Sequence, residues 1–199
     1  MPRFQQTGVR KHGGREDRML RRLSLMVLVA AAVCAGSAFG PAHAEEWRTI
    51  DCANSKIAGP PGLNCGERGP VHIGGCREMV SVMAGNIDGR FMVGFLRQSS
   101  NCFMPATSLS GFSEEAKALL GPLFKDVTWD APRAVQQQYV LTGRSHGRAC
   151  VAFGIYGPPM ERGHRYVLLG GSCKPEGQAT PYTDDEIRGA LTMFAYRSV

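Results

Sequence analysis

Gly143-Arg-Ser-His-Gly147 spells G-x-S-x-G, the pattern of a serine-hydrolase nucleophile elbow. That elbow works because a tight strand-to-helix turn exposes the Ser, while an acid and then a His arrive later in the chain. Here Arg148-Ala-Cys-Val-Ala-Phe153 follows and reads as a strand, and no His comes after Asp184 or Asp185. The segment is expected to be a turn, and a small extracytoplasmic hydrolase using Ser145 or a histidine stands only as an alternative. Cys65, His72 and Cys76 offer three metal ligands, but zinc wants a fourth and no second close Cys or His pair supplies it. The chain also lacks a Gly-rich phosphate loop, an S-x-x-K and an H-E-x-x-H, so neither metal nor cofactor is expected.

Two loops gather cationic groups: Arg144, His146 and Arg148 in one, Arg162, His164 and Arg165 in the other. Either could hold phosphate, sulfate or an acidic glycan locally through charge-assisted hydrogen bonds. They are not expected to share a ligand. Successive turns of a meander lie at opposite ends of the strands, and about seven residues of strand separate them by roughly 20 Å.

The six cysteines beyond residue 44 are Cys52, Cys65, Cys76, Cys102, Cys150 and Cys173, an even set that reads as three disulfides in an oxidising compartment. If Ala149 to Tyr156 pairs antiparallel with Tyr166 to Gly171 around the Gly157 to Arg165 loop, Cys150 and Cys173 stand opposite each other. Directly opposed strand residues meet the Cα separation that a bridge needs. Closing that loop is worth about 3 kcal/mol on the chain-entropy model. Folding an earlier hairpin brings Cys76 to Cys102, which leaves Cys52 for Cys65.

The elements that must position these groups begin with two similar stretches, Val82 to Phe95 and Val140 to Phe153. Each reads as apolar strand, Gly-bounded turn, Gly-Arg and apolar strand, the grammar of a β-hairpin. Ser113-Glu-Glu-Ala opens a helix with Ser113 as cap and Ala116, Leu119, Leu120 and Leu123 on one face, which Gly121-Pro122 should kink or end. Val135 to Thr142, Ala149 to Tyr156 and Tyr166 to Gly171 are strand candidates. Thr183-Asp-Asp-Glu186 is a capping box, with Tyr182 and Ile187 as a hydrophobic staple and Ile187, Ala190, Leu191 and Phe194 at helical spacing.

These elements predict an α+β domain over 45–199: an irregular Gly/Pro-rich loop at 45–77, a strand–helix unit at 78–124 and a second at 133–197, with the helices on one face of an antiparallel sheet. Two explanations fit the echo between the units. One is an internal duplication; the other is that Gly-Arg hairpins and capped helices recur because they are common.

Residues 1–44 read as a cleavable signal peptide: a basic stretch ending in Arg18, Arg21 and Arg22, an apolar run from Leu23 to Ala35, and Ala42-His43-Ala44 before the cut. Met19 would open a leader of more ordinary length than Met1. Arg21-Arg22 permits a twin-arginine route, but Ser24 stands where that signal usually carries an aromatic, which favours the general secretory route. The apolar run is shorter than the roughly 18 residues of a spanning helix. The leader holds seven of the 23 Lys/Arg and two of the 17 Asp/Glu, leaving 16 basic against 15 acidic groups in the mature chain. A nucleic-acid partner is therefore not implied by the charge. What the sequence favours is a periplasmic or secreted, non-catalytic domain that binds an envelope component or another protein, with a protein inhibitor of a secreted enzyme as a further alternative. N-terminal sequencing of the exported protein is expected to begin at Glu45, and a mature form retaining Met1 or Met19 would contradict the cleaved leader.

Overall fold

The computed structural model describes residues 47–198 except Gly74 and Ala106. The leader over 1–44 and its cleavage point lie outside the described residues. In chain order the elements are β1 (Arg48–Ile50), a 3-10 turn (Cys52–Asn54), β2 (Ile57–Ala58), β3 (Asn64–Ile73), β4 (Cys76–Ile87), β5 (Arg90–Ser99) and α1 (Leu109–Phe124). There follow β6 (Thr128–Trp129), β7 (Arg133–Val135), β8 (Gln138–Ser145), β9 (Arg148–Tyr156), β10 (Pro159–Met160), β11 (Gly163–His164), β12 (Tyr166–Cys173), α2 (Asp184–Leu191) and β13 (Ala195–Tyr196).

One nine-stranded antiparallel sheet dominates, in the order β1-β3-β4-β5-β12-β9-β8-β6 with β7 also on β8. The balanced α+β arrangement of two strand–helix units is therefore not what forms. The described residues are mostly sheet, and the two α-helices among them, of 16 and 8 residues, lie on opposite faces. Strand alternation makes this visible in β9: Ala149, Val151 and Phe153 join the core with α2, while Cys150 and Ala152 join the core with α1. Side chains of successive strand residues point to opposite faces, so a strand apolar at every position is a strand covered twice. The likeness of the two stretches stops at the hairpin. Both turn through two left-handed residues, Asp88-Gly89 and His146-Gly147. Yet Val82 and Phe95 face α1, whereas Val140 and Phe153 face α2.

Glycines on the sheet receive an aromatic ring on each face, Phe124 from the end of α1 and Phe194 from just beyond α2. A Cβ on Gly171 would lie 2.6 Å from the Phe124 ring, and one on Gly94 would lie 3.0 Å from Phe194. Each buried Phe is worth roughly 1.5–3 kcal/mol in transfer from water. A larger residue at either glycine would push its helix outward.

Four local expectations are corrected. The 45–77 stretch is not an irregular loop: β1, β2 and β3 fall in it, and β3 pairs with β4 from Asn64↔Ala84 to Ile73↔Cys76. Gly69-Pro70, whose peptide is cis, sits in a register shift between Arg68 and Val71. A Pro without an N–H is tolerated in a strand where the ladder is already interrupted. The α1 cap is Ser108, which accepts from the Gly111 N–H at 3.1 Å, and Ser113 is buried inside the helix. Pro122 does not end α1, which continues to Phe124. Finally, the Val135 to Thr142 stretch is divided between β7 and β8 by Gln136 and Gln137, both at positive φ.

Three disulfides join Cys52–Cys65, Cys76–Cys102 and Cys150–Cys173. Cys150 and Cys173 are opposed residues of β9 and β12, with Cα atoms 4.0 Å apart. Such bridges suggest an oxidising, extracytoplasmic environment. Among the described residues no helix is long and apolar enough to cross a membrane.

The capping box of α2 forms in both directions: the Thr183 hydroxyl accepts from the Glu186 N–H, and the Glu186 carboxylate accepts from the Thr183 N–H at 2.8 Å. Lys174, nearly buried behind Cys173, reaches the other Glu186 oxygen at 2.7 Å and stands 4.8 Å over the Tyr182 ring. The Lys174 hydrogen bond first, and the Thr183 backbone next, hold the Glu186 carboxyl below its ordinary 4.5. The folded state thus binds that proton less readily than the unfolded chain. The contribution is present above the ordinary value and fades as pH falls through the lowered one. Glu186→Gln is therefore expected to flatten the loss of stability on acidification from about pH 5 to pH 3, read as urea midpoints.

Candidate functional site

The loop between β9 and β12 is not a simple turn. Gly157 donates its N–H to the Tyr166 carbonyl at 2.9 Å, and the chain then folds into the small β10–β11 hairpin, with Pro159 opposite His164 and Met160 opposite Gly163. On the other side of β11, Met104 exchanges two 2.8 Å backbone hydrogen bonds with His164. Residues 103–105, β11 and β10 together make a three-stranded flap at one end of the large sheet. The Cys76–Cys102 disulfide ties the first of these segments to the start of β4. Gly163 has to be glycine, since it sits at φ +146° and a Cβ there would run into the Met104 carbonyl.

The inner side of the flap meets a cluster of titratable groups. Met104 is buried, and the His164 ring packs 5.2 Å from that of Tyr156. His164 Nδ1 lies 2.8 Å from the Gly157 carbonyl. A carbonyl only accepts, so Nδ1 carries the proton. Tyr156 in turn packs 5.5 Å from Tyr139, whose hydroxyl donates to the Thr107 carbonyl at 3.3 Å. Beside them Arg97 of β5 bridges the sheet and α1, with Nη2 at 3.0 Å from Glu78 and Nη1 at 2.7 Å from Glu115.

This arrangement holds charge rather than exposing it. Burial works against the Arg97 cation, but the attraction and hydrogen bonding of Glu78, then of Glu115, more than offset it and raise its pKa. Burial, and after it the nearby Glu115 and Tyr139, push the Tyr156 phenol far above its ordinary 10.0, so it stays protonated. Its hydroxyl oxygen is buried without a hydrogen-bond partner. Both carboxylates are ion-paired and the imidazole is tied to the backbone. The physical effect of this cluster is to tie α1 to β4 and β5 through Arg97, while the His164–Tyr156 contact seats the flap on the sheet.

The outer side of the flap is different. Strand alternation sends Phe103 and Pro105 away from buried Met104. Among the described residues Phe103, at 41% exposure, and Met160, at 45%, are the large apolar side chains left in solvent. Pro158, Pro159, Glu161, Arg162 and Arg165 around them are exposed as well.

The residues singled out in the sequence are dispersed. Ser145 is 1% exposed, with Oγ at 2.7 Å from the Phe124 carbonyl and 2.6 Å from the Lys125 carbonyl. Its single proton serves one or the other, which makes it a cap for the C-terminus of α1. Arg144, His146 and Arg148 surround the β8–β9 turn, where His146 Nε2 meets Asp126 at 3.3 Å. Arg162, His164 and Arg165 lie at the other end of β9, and there His164 turns inward while the arginines stay exposed. Cys65 and Cys76 are disulfide-bonded to different partners, and among the described residues no three His, Cys, Asp or Glu are grouped to hold a metal.

Sequence reasoning missed Phe103, Met160 and the Arg97 bridge. One signal was present: Pro158-Pro159-Met160 is an apolar stretch where a polar turn is the norm. Comparison with protein-family models, curated proteins and solved structures finds no match to the chain.

Ser145→Ala leaves the α1 carbonyls without their hydroxyl and is expected to lower stability by about 1–2 kcal/mol in urea unfolding. A hydrolytic activity that vanishes in this variant at unchanged stability would restore Ser145 as a nucleophile.

Proposed function

We propose that the mature chain is a non-catalytic binding domain, periplasmic or secreted, that contacts another protein or an envelope component through the outer side of the flap. The observation that carries this reading is the placement of Phe103 and Met160. The two are borne on the two outer segments of one anchored flap, diagonally across it and more than about 10 Å apart. Contiguous exposed apolar groups beside polar ones mark interaction sites more often than isolated ones do. The Cys76–Cys102 disulfide, the prolines and the His164–Tyr156 contact support the same reading, because a preorganised surface loses less entropy on binding.

A protein inhibitor of a secreted enzyme would be one form of such a binder, and the rigid Pro158-Pro159 stretch favours it over a hydrolase. The test places a photo-crosslinking amino acid at Met160, and separately at Lys117 on the exposed side of α1, in protein exported by its own cell. A discrete adduct from Met160 alone is expected. Equal labelling from both positions, or ester, glycoside or peptide hydrolysis lost on His164→Ala, would overturn the proposal.

A further inference from the structure

Resting on that reading, we propose the chemistry of the partner: an acidic protein segment whose apolar side chain seats between Phe103 and Met160 while its carboxylates meet Arg162 and Arg165. The middle strand of the flap offers no side chain at Gly163. With Met104 opposite His164, Phe103 falls beside Arg165 while Met160 stands beside Gly163, so the two apolar residues lie diagonally across the flap with a bare glycine next to one and a guanidinium next to the other. Arg162 and Arg165 are exposed, and among the described residues neither is ion-paired, whereas Arg97, Arg133 and Arg188 all hold carboxylates. Glu161 is the one acidic group on the flap, and Arg77, exposed at the start of β4, adds positive charge at the same end of the sheet. An incoming carboxylate meets a net cationic rim around an apolar centre.

The same residues favour protein over a bilayer surface. The flap segments 99–105 and 157–165 contain arginine but no lysine. Arg, Met and aromatic residues are enriched at protein interfaces and Lys is depleted, because the guanidinium is weakly hydrated and grips carboxylates in a fork. Two large apolar side chains are also a small anchor for a membrane surface, where binding scales with buried apolar area.

The experiment titrates the protein with a synthetic peptide of glutamates interspersed with leucines, and with its glutamine counterpart, while NMR follows the Met160 methyl and the amides of 158–165. The glutamate peptide is expected to shift these signals and the glutamine peptide to shift them far less. Arg162→Gln/Arg165→Gln, shown to be folded by its unchanged remaining spectrum, is expected to bind about tenfold more weakly. The control Arg144→Gln/Arg148→Gln is expected to bind as the parent does. Equal shifts from both peptides would overturn the carboxylate assignment. Phosphatidylglycerol vesicles perturbing the flap while the peptides do not would overturn the protein assignment in favour of a membrane surface. No response to either, with the Met160 crosslink intact, would overturn this partner chemistry alone; loss of the crosslink too would overturn the binding reading beneath it.

Discussion

Burial of β9 and β12 on both faces is the constraint on which the rest of this protein depends. These strands sit inside the sheet, one face covered by α1 and the other by α2, and every successive side chain from Ala149 to Phe153 must be apolar to stay dry. Two helices can approach one thin sheet this closely only where bulk is absent on the strands. Gly171 under Phe124 and Gly94 under Phe194 supply that absence. Cys150–Cys173 then locks the register of the central pair, and the flap hangs from the far end of the same two strands.

What was legible in the sequence was what neighbouring residues decide among themselves. Asp88-Gly89 and His146-Gly147 announce two-residue turns because left-handed backbone favours such residues. Thr183 and Glu186 announce α2 because a cap is a contact between positions three apart. The face on which a helix lands is not of that kind. Alternation shows that a strand has two sides, but which side α1 meets follows from the path of the whole chain, so two helices assigned to one face proved to lie on two. The β3 strand was hidden for a related reason: Gly69-Pro70 reads as a breaker, and only its pairing with β4 makes a strand around the interruption.

The candidate site followed the same division. Ser145 could be set aside from its surroundings in the sequence, since a strand rather than a helix follows it. That its hydroxyl caps α1 could not be read there, because Phe124 and Lys125 lie some twenty positions earlier. Phe103 and Met160 looked unremarkable in segments read as loop. Exposure is a property of what fails to cover a residue, and nothing local records it. Arg97, Glu78 and Glu115 come from two strands and a helix, and each alone is an ordinary surface charge.

The strand order has a consequence for how the chain becomes a protein. β12 is the last long strand to be made, yet it lies between β5 and β9 at the centre of the sheet. Until it arrives, the earlier meander ends in an open edge at β5 and the later one in an open edge at β9, each presenting unpaired backbone to any passing strand. Sealing those edges joins residues as far apart in sequence as Phe91 and Cys173, and such long closures slow folding. A chain emerging vectorially from its N-terminus therefore cannot complete its core until nearly all of it is through. The same order that buries the middle of the sheet makes its completion wait on the C-terminal third of the chain.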